Sequence, residues 1–445
     1  MPTDTFQTSG QYEAHHATLQ QRYERVLAAA RWDAVAVWSG APRYRFRDDQ
    51  AYAHRSGPFY QQWVPASDHA SSLVLVRPGE RPVLALNLPR DYWHSVPQAP
   101  AGEWTESFDI AVSSDLAGVR AQLPDDLSRV AVIGDLHGEP EGWGFGAANP
   151  AAIVTPLEFA RLYKTPYEVA CIAAANLRGA RGHRAAREAF EQGASELRIH
   201  LAYLAATGHA EADLPYDNIV ALNEHAATLH YGRFDREPPA VRRSFLIDAG
   251  AMVGGYASDI TRTWSGERDS GFGELIAALD EAQQALVALI RPGPSYVELH
   301  EEAQRAVATI LRDVGIVAME PEDMVREGVS NVFLPHGLGH HLGLQVHDTG
   351  GKLAGPEGDP IPQPEAWPFL RNLRPIEAGN VFTIEPGLYF IDSLLAELES
   401  SPHGRRVNWE AVASLRPCGG VRIEDNVWVG PDGVRNLTRE AFARL

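Results

Sequence analysis

The sequence contains few cysteines: Cys171 and Cys418 are the only two among 445 residues. Two cysteines cannot build a disulfide framework, and without a C-x-x-C pair they form neither a zinc ribbon nor a redox motif. Such sparse cysteine usage is typical of proteins from a reducing compartment. The cysteines therefore do not indicate the chemistry of this chain.

Long apolar runs and positive charge are also scarce. No run approaches the roughly 18 apolar residues of a membrane span, and the first residues lack the basic and apolar regions of a secretory signal. Lys and Arg number 39 against 58 Asp and Glu, a net charge of −19. This balance argues against nucleic acid and anionic membranes as partners, although it also serves solubility alone. We expect a cytoplasmic protein without nucleic-acid or membrane partners.

Several common catalytic motifs are missing. There is no G-x-x-x-x-G-K-[ST] loop, no strand followed by G-x-G-x-x-G, no G-x-S-x-G, no H-E-x-x-H and no EF-hand loop. Nucleotide binding by these loops, serine-esterase chemistry and zincin chemistry are therefore excluded as first interpretations.

The chain length favours two domains. Apolar runs at 34–38, 72–76, 83–86 and 129–133 alternate with helix-like segments, which predicts a first α/β layer domain. A capping box, Thr165 with Glu168 around Pro166, then predicts the start of a long helix. We place a mixed α/β domain at residues 1–160 and a second domain at residues 161–445.

The stretch from Ser244 to Trp264 predicts a β-hairpin with acidic residues near its tip. If the turn is centred between Val253 and Gly254, Asp248 and Asp259 are cross-strand partners with Cβ atoms about 5 Å apart. Two carboxylates that close need protons or a cation between them, and oxygen ligands favour hard divalent ions. In the alternative interpretation, one Asp caps the turn while the other faces water.

A second stretch is rich in histidine and glycine. His336, His340, His341 and His347 fall within twelve residues and are interleaved with glycines. Neutral imidazole is the commonest metal ligand, and glycine lets the backbone approach a site closely. Helix caps or surface positions would account for one or two of them, and we expect two of the four not to touch a metal.

Two further carboxylates end apolar runs. Glu385 follows Val381 to Ile384 directly before Pro-Gly, where a buried Glu needs a cation or a donor. Strand alternation places Arg422 and Glu424 on one face, unless they form an exposed salt-bridged edge. Two Asp, one His and two Glu are together a ligand set for a pair of divalent ions. Such a pair, about 3.5–4 Å apart, bridges a hydroxide and polarises a carbonyl or phosphoryl oxygen.

These residues resemble those of the dinuclear metallopeptidases of the pita-bread fold, which include methionine aminopeptidase, aminopeptidase P and prolidase. Within that group the chain is similar to the bacterial Xaa-Pro dipeptidases. The segments that carry the resemblance are Leu-Pro-Tyr-Asp-Asn-Ile-Val-Ala-Leu-Asn-Glu-His (214–225), Leu-His-Tyr (229–231), His-Gly-Leu-Gly-His-His-Leu-Gly-Leu-Gln-Val-His-Asp (336–348), Thr-Ile-Glu-Pro-Gly-Leu-Tyr-Phe and Gly-Gly-Val-Arg-Ile-Glu-Asp-Asn.

The resemblance implies a pita-bread catalytic domain after the small α/β domain, and a homodimer. It also implies two divalent ions per subunit, Mn²⁺ preferred, with Co²⁺, Zn²⁺ and Mg²⁺ as alternatives. The implied metal ligands are Asp248, Asp259, His340, Glu385 and Glu424. By its position relative to the Val-His-Asp word, the family's histidine ligand corresponds to His340.

The resemblance also implies substrate contacts. Glu385 would shuttle a proton, and His336 and His347 would contact the substrate carbonyl and the tetrahedral intermediate. His230 and Arg371 match the positions that hold the C-terminal carboxylate of a dipeptide. Arg422 would support the site or contact the substrate. Trp93 would form an aromatic wall of the pocket.

The implied function is hydrolysis of dipeptides with C-terminal proline. An aminopeptidase P acting on longer peptides is a first rival, against which Arg371 and His230 argue. Hydrolysis of organophosphorus esters on the same metals is a second rival. The third is a binding module without catalysis, which the presence of all five ligands disfavours.

Overall fold

The protein forms two compact units in its computed structural model, which describes residues 10–65, 69–93, 99–267 and 270–445. Contacts group Met1–Cys171, Gly254–Tyr256 and Leu353–Asp359 in the first unit, and Ile172–Val253, Ala257–Lys352 and Pro360–Leu445 in the second. The domain boundary at residues 160 and 161 stays a prediction. In the described part of the chain, no helix is long and apolar enough to cross a membrane.

The first unit is built on a mixed six-stranded sheet in the order β4-β3-β2-β1-β5-β6. Its strands are β1 (Ala34–Trp38), β2 (Leu73–Val76), β3 (Val83–Asn87), β4 (Asp109–Ser113), β5 (Val130–Ile133) and β6 (Ala147–Ala148). β1 runs antiparallel to β2 and parallel to β5. Every residue of β1 is buried, as expected for a central strand that is covered on both faces.

Helices complete the first unit and lead out of it. They are α1 (Gln11–Ala30), α2 (Pro58–Trp63), α3 (Leu116–Arg120), α4 (Ala151–Ala160) and α5 (Pro166–Glu191), with 3₁₀ helices at Glu103–Ser107 and Glu139–Gly142. The predicted capping box starts α5, since the Thr165 N–H donates to Glu168 at 2.7 Å and the Glu168 N–H donates to the Thr165 hydroxyl at 3.4 Å. Mixed α/β architecture is therefore confirmed.

The second unit combines small antiparallel sheets with helices. The strands of residues 172–445 are β7 (Ile219–Leu222), β8 (Ser244–Asp248), β9 (Met252–Val253), β10 (Tyr256–Ala257, of which Tyr256 groups with the first unit), β11 (Thr261–Ser265), β12 (Val381–Ile384), β13 (Gly387–Tyr389), β14 (Gly420–Arg422), β15 (Asp425–Gly430) and β16 (Gly433–Asn436). The sheet orders are β11-β8-β7, β12-β15-β16, β13-β14 and β10-β9. An antiparallel bridge between Thr261 and Glu424 links β11 to the chain that follows β14.

The helices of the second unit cover these sheets. They are α6 (Glu196–Thr207), α7 (Gly271–Leu289), α8 (Tyr296–Asp313), α9 (Pro321–Arg326), α10 (Val329–Phe333), α11 (Asp392–Ser400), α12 (Trp409–Leu415) and α13 (Leu437–Phe442), with 3₁₀ helices at Glu211–Asp213, Asn223–Ala227, Gly404–Arg406 and Arg416–Cys418. Leu275 and Leu279 of α7 and Leu311 of α8 join Phe382 and Ile384 of β12 in one buried cluster. This core supports the strand that leads to Glu385.

The predicted hairpin exists, but its register differs from the prediction. Asp248 lies opposite Thr261 and not opposite Asp259. The tip is Gly254-Gly255, whose φ angles of 57° and 85° are both positive. A two-residue hairpin turn with positive φ at both positions requires residues such as glycine, so the turn lies one residue later than we assumed. The two aspartates are diagonal neighbours on the same face.

Candidate metal centre

Three side chains from separate segments of the second unit converge in its interior. Ligand atoms of Asp259, His340 and Glu424 all lie within 4.8 Å of one another. Asp259 precedes β11, His340 precedes the residue that bridges to Phe382 of β12, and Glu424 lies between β14 and β15. All three residues are buried. Neither aspartate of the hairpin faces water, because Asp248 is also largely buried, with a side chain 14% exposed.

A tyrosine hydroxyl joins the two aspartates. Tyr216 Oη lies 2.7 Å from Oδ1 of Asp248 and 2.5 Å from Oδ1 of Asp259. The backbone of Asp259 is held by Asn426, whose Oδ1 accepts the Asp259 N–H at 3.0 Å and whose Nδ2 donates to the Asp259 carbonyl at 2.5 Å. Both carboxylates are therefore fixed in direction.

Glu385 reaches the same group from the end of β12. Its Oε1 lies 3.6 Å from Nε2 of His340. Thr383 connects the two residues, since its hydroxyl accepts the His340 N–H at 3.1 Å and donates to Oε1 of Glu385 at 3.2 Å. The other ring nitrogen of His340, Nδ1, lies 3.0 Å from the His341 carbonyl. When Nδ1–H donates to that carbonyl, Nε2 presents its lone pair to the carboxylates.

Glu424 shows most clearly that these residues suit a cation. Its Oε2 accepts a hydrogen bond of 2.7 Å from the Thr261 hydroxyl. Its Oε1 is buried and accepts no hydrogen bond from the described residues. A buried carboxylate oxygen without a donor is costly unless a cation or a proton neutralises it. Carboxylate oxygens with one imidazole fit hard divalent ions, so the residues present suit a metal pair.

The pKa values show how strongly these groups repel one another. Burial, followed by the charges of Asp259, Glu385 and Asp248, raises the pKa of Glu424 well above its usual value. Burial and the charge of Asp259 raise the pKa of Asp248 to about 6. Burial raises the pKa of Glu385 to about 7, although the His340 charge opposes it. These carboxylates cannot all be ionised together without added positive charge.

Asp259 and His340 are neighbours within the ligand group, and each shifts the pKa of the other. Burial disfavours the charged form of Asp259, but the hydrogen bond and charge of His340 bring its pKa below the usual value. Burial likewise disfavours charged His340, but Asp259 and then Glu385 raise its pKa. Their closest atoms, His340 Nε2 and Asp259 Oδ2, are 3.3 Å apart. Both residues would serve as ligands of a metal ion, whose binding competes with that of protons.

His336 lies at the edge of the group and contacts a tyrosine. Its Nε2 lies 2.9 Å from the hydroxyl of Tyr389, and its Nδ1 lies 2.8 Å from the Gly337 carbonyl. The same hydroxyl accepts a hydrogen bond of 2.9 Å from Arg422. Burial, and then the charge of Arg422, lowers the pKa of His336 to about 4. His336 is therefore neutral at pH 7.

Arg422 is buried and not part of an exposed edge, so the exposed-edge alternative is wrong. Its side chain is 5% exposed and donates to Asp248 at 2.7 Å. Its Nε donates to the Thr261 hydroxyl at 3.1 Å. Arg422 thus contacts Asp248 directly and Glu424 through Thr261.

The remaining predicted residues of the second unit act on His347 through a ring contact or through their charges. The His347 ring meets His340 edge-on, with ring centroids 4.4 Å apart. Partial burial and the charges of His340, Arg371 and His230 lower the pKa of His347. Arg371 and His230 are exposed. Two solvent-accessible side chains, Arg371 and His230, therefore act electrostatically on His347.

His341 contributes its backbone carbonyl to His340, and no contact of its side chain with the proposed ligands is seen among the described residues. His341 is buried and its backbone pairs with Phe382. Trp93 belongs to the first unit and is 76% exposed, and its ring is tilted by 37° to that of Tyr92, with ring centroids 4.7 Å apart. Its place in a substrate pocket stays a prediction.

Several supporting residues escaped the sequence analysis. Thr261 and Thr383 each lie two positions from a proposed ligand, so strand alternation was a usable signal for both. Asn426 lies two positions after Glu424 in the same way. Tyr216 and Tyr389 lie within the sequence segments that carry the family resemblance. However, nothing local in the sequence reveals which carboxylate or histidine they contact.

Inward-facing carboxylates and one imidazole at the meeting point of small antiparallel sheets define a metal-dependent hydrolase of the two-metal class. The family model for "Metallopeptidase family M24" matches residues 170–431, and that for "Xaa-Pro dipeptidase, N-terminal domain" matches residues 10–159. The chain belongs to metallopeptidase family M24.

Curated relatives match almost the whole chain. A Xaa-Pro dipeptidase of Stenotrophomonas maltophilia is 46% identical over 434 residues, covering 97% of this chain and 97% of the relative. A Xaa-Pro dipeptidase of Marinobacter nauticus is 47% identical over 432 residues, covering 96% and 97%.

Solved structures share the fold. Proline aminopeptidase P II from Yersinia pestis matches with a TM-score of 0.71 at 22% identity, covering 98% of this chain and 97% of that one. Zinc-substituted Escherichia coli aminopeptidase P in complex with product matches with a TM-score of 0.68 at 21% identity, covering 95% and 97%. The predicted fold, a small α/β domain followed by a pita-bread catalytic domain, is confirmed.

Proposed function

We propose that the protein is a Xaa-Pro dipeptidase that hydrolyses dipeptides with C-terminal proline on two divalent ions. The observation that carries the proposal is the convergence of Asp259, His340 and Glu424; the charges of Arg371 and His230 act on the neighbouring His347. The relatives named Xaa-Pro dipeptidase at 46–47% identity support the substrate class.

The metal ligands in this proposal are Asp248, Asp259, His340, Glu385 and Glu424. When bound, two divalent ions supply a hydroxide nucleophile at neutral pH and polarise the scissile carbonyl. Mn²⁺ is the proposed ion, with Co²⁺, Zn²⁺ and Mg²⁺ as alternatives, because the donor set is mainly carboxylate. The unpaired buried oxygen of Glu424 supports this donor set.

Glu385 is the proposed proton shuttle. Its carboxylate lies among the proposed metal ligands, with Oε1 3.6 Å from Nε2 of His340, and a carboxyl group positioned there can accept and return a proton. His336 and His347 are proposed to contact the substrate carbonyl and the tetrahedral intermediate. A neutral His336 whose Nε2 accepts from Tyr389 can donate from Nδ1 once that nitrogen leaves the Gly337 carbonyl.

The exposed cationic end accounts for the dipeptide preference. The bond before proline has no N–H on its nitrogen, so the enzyme must hold the substrate by other groups. Arg371 offers a planar bidentate donor for the terminal carboxylate, and the charges of Arg371 and His230 both lower the pKa of His347. A longer peptide carries no carboxylate at this point. The arrangement therefore disfavours an aminopeptidase P that acts on longer chains.

We propose that the N-terminal domain contributes a wall of the substrate pocket and the contact of a homodimer. The segment from Tyr44 to Tyr52 has an antiparallel bridge between Tyr44 and Ala51, and Phe46 at its tip is 89% exposed. Trp93 is exposed as well. Exposed aromatic side chains of this kind mark contact surfaces, so we propose that residues 1–160 form the homodimer contact and a pocket wall.

We also propose a cytoplasmic location, since two cysteines in 445 residues fit a reducing compartment.

The test is release of free proline from Ala-Pro and Leu-Pro, compared with cleavage of Ala-Pro-Ala. The protein is assayed before chelation, after chelation and after addition of Mn²⁺. Cleavage confined to dipeptides, lost on chelation and restored by Mn²⁺, is the expected result. Tripeptide cleavage at a comparable rate would replace the proposal with aminopeptidase P. No cleavage of either peptide by the metal-loaded protein would reject both.

A further inference from the structure

Glu196 is a buried carboxylate outside the group of proposed metal ligands. It is the first residue of α6, and none of its surface is exposed. The helix N-terminus favours a negative charge at this position. A buried carboxylate is stable in the folded chain only when its oxygens accept hydrogen bonds. Both oxygens of Glu196 do so.

Four donors reach the two oxygens of Glu196. Oε1 accepts the Leu222 N–H and Nδ1 of His225, each at 2.8 Å. Oε2 accepts the Tyr231 hydroxyl at 2.9 Å and the Asp235 N–H at 2.8 Å. One oxygen therefore holds the beginning of residues 222–235, and the other holds the end of the same segment.

The 222–235 segment has little regular structure of its own to fix it. It begins with the short 3₁₀ helix Asn223–Ala227 and then continues without helix or strand to β8. His225 stacks on Tyr231, with ring centroids 4.5 Å apart and an interplanar angle of 22°. Burial and the hydrogen bond to Glu196 raise the pKa of Tyr231, which keeps its hydroxyl a donor. Glu196 is thus the point where the two ends of the segment are tied together.

His230 directly precedes Tyr231 in this segment. It is exposed, and its charge contributes to the lowered pKa values of His336 and His347 after the larger effect of burial. The anchor at Tyr231 therefore fixes the backbone next to His230. Loss of the anchor would let His230 move, and none of the four residues that donate to Glu196 is a proposed metal ligand.

A metal ion is the rival explanation for this cluster. Glu196, His225 and Asp235 have ligand atoms close enough to hold an ion. However, two of the four donors on Glu196 are backbone N–H groups, which cannot coordinate a cation and already use its lone pairs. The carboxylate is satisfied by donors alone, so the cluster acts as a hydrogen-bonded hub.

We propose that Glu196 is a positioning residue for substrate recognition: it holds the 222–235 segment so that His230 meets the C-terminal carboxylate of the dipeptide. This inference rests on the proposed function. It assigns to Glu196 an effect on substrate affinity and none on the metal centre.

The experiment is the substitution Glu196→Gln, with Glu191→Gln as the matched control. Gln keeps the size of the side chain but replaces one acceptor oxygen by an NH₂ group, so two of the four donors lose their partner. Glu191 lies on α5 in an exposed pair with Arg187, 2.9 Å apart. We expect Glu196→Gln to raise KM for Ala-Pro about tenfold, with kcat and bound Mn²⁺ close to wild type. Glu191→Gln should change none of these.

Two comparisons separate positioning from general destabilisation. The amide of Ala-Pro lacks the terminal carboxylate, so its KM should be the same for Glu196→Gln and wild type. In a double-mutant cycle with His230→Ala, the two effects on KM for Ala-Pro should not add, because Glu196 acts through His230. Equal losses on Ala-Pro and its amide, or fully additive effects, would overturn the proposal.

Hydrogen exchange supplies a readout that is independent of activity. Amides of residues 222–235 should exchange faster in Glu196→Gln, and to a smaller extent in Tyr231→Phe, than in wild type and Glu191→Gln. Unchanged exchange would reject the anchor even if the dipeptidase activity is present. If wild type does not cleave Ala-Pro, the proposed function fails, whereas the exchange result still decides whether Glu196 anchors the segment.

Discussion

Arg422 donates a hydrogen bond of 2.7 Å from Nη2 to Oδ2 of Asp248, and their side chains are only 5% and 14% exposed. The guanidinium thus neutralises one proposed metal ligand while its other nitrogens bind Thr261 and Tyr389. A planar fork with several donors is required to make all three contacts. The orientation of Asp248 therefore depends on the guanidinium group of Arg422.

Arg422→Lys should weaken metal binding. A single ammonium group cannot replace the fork, and loss of such a supporting contact typically lowers metal affinity about 10–100-fold. Bound Mn²⁺ measured after dialysis against buffered metal would check this, together with proline release at saturating Mn²⁺. Arg374→Lys is the control, because Arg374 is equally buried in a 2.7 Å pair with Glu377. Equal metal binding by both variants would contradict the prediction.

Asp259→Asn should abolish dipeptide cleavage. Asn keeps the contact with Tyr216 but removes the charge that the proposed metal pair requires at the centre of the cluster. We expect proline release to fall by at least about a hundredfold at any Mn²⁺ concentration. Asp313→Asn, which alters an exposed pair with Arg312, should behave as wild type. Intact cleavage by Asp259→Asn would rule out the two-metal mechanism.

Gly339→Ala should disrupt the backbone that presents His340. A Cβ at this position would collide with the carbonyl and hydroxyl oxygens of Thr383 and with the hydroxyl of Tyr296. We expect a loss of about 2–4 kcal/mol in the free energy of unfolding, measured by urea denaturation, together with loss of activity. In Gly271→Ala the added methyl group meets open space. A Gly339→Ala protein as stable and active as Gly271→Ala would show that the close packing is not needed.

Arg371→Met should impair recognition of free dipeptides selectively. Met keeps the apolar stem but removes the planar donor pair proposed for the terminal carboxylate. KM for Ala-Pro should rise about tenfold or more, while KM for the amide of Ala-Pro should stay near the wild-type value. A similar rise for both substrates would place the terminal carboxylate elsewhere.

His16 should contribute to acid sensitivity of the first unit. It is buried between the rings of Trp63 and Phe108, at centroid distances of 5.1 and 4.9 Å, and burial lowers its pKa from 6.5 to about 4. The unfolded chain therefore binds more protons than the folded chain between these values. Stability is lost as pH falls through 6.5, and the loss is complete near pH 4.

The corresponding experiment compares urea unfolding at pH 7.5 and pH 5.0. In wild type, His16 accounts for about 2 kcal/mol of the stability lost between these pH values. His16→Leu should lose that much less on acidification, whatever its stability at pH 7.5. His137 is exposed, so His137→Leu should retain the wild-type difference. The same pH difference in His16→Leu and wild type would show that His16 does not take up a proton on unfolding.

Much of the candidate centre was predictable because its residues combine unusual chemistry with strand signals. A Glu that ends an apolar strand before Pro-Gly, as Glu385 does, needs a partner wherever the strand lies. Strand alternation places Arg422 and Glu424 on one face, opposite Val421 and Ile423. All four residues are buried, so both faces lie inside the protein. The individual roles of these residues stay predictions.

The remaining features depend on information that local patterns do not carry. The hairpin register was wrong because Val253-Gly254 and Gly254-Gly255 both read as turns, and only the second supplies positive φ at both positions. Tyr216 reaches Asp259 across a sequence separation of 43 residues. Such contacts arise from tertiary packing, which no short segment determines.

The two-glycine turn of the hairpin also restricts the length of the chain around it. Asp248 and Asp259 share a face because the paired strands keep one register from the turn to β8 and β11. Adding or deleting a single residue within either arm would rotate one carboxylate to the opposite side. Related sequences can therefore differ in many side chains between the two aspartates, but a single-residue insertion or deletion in that interval would be selected against.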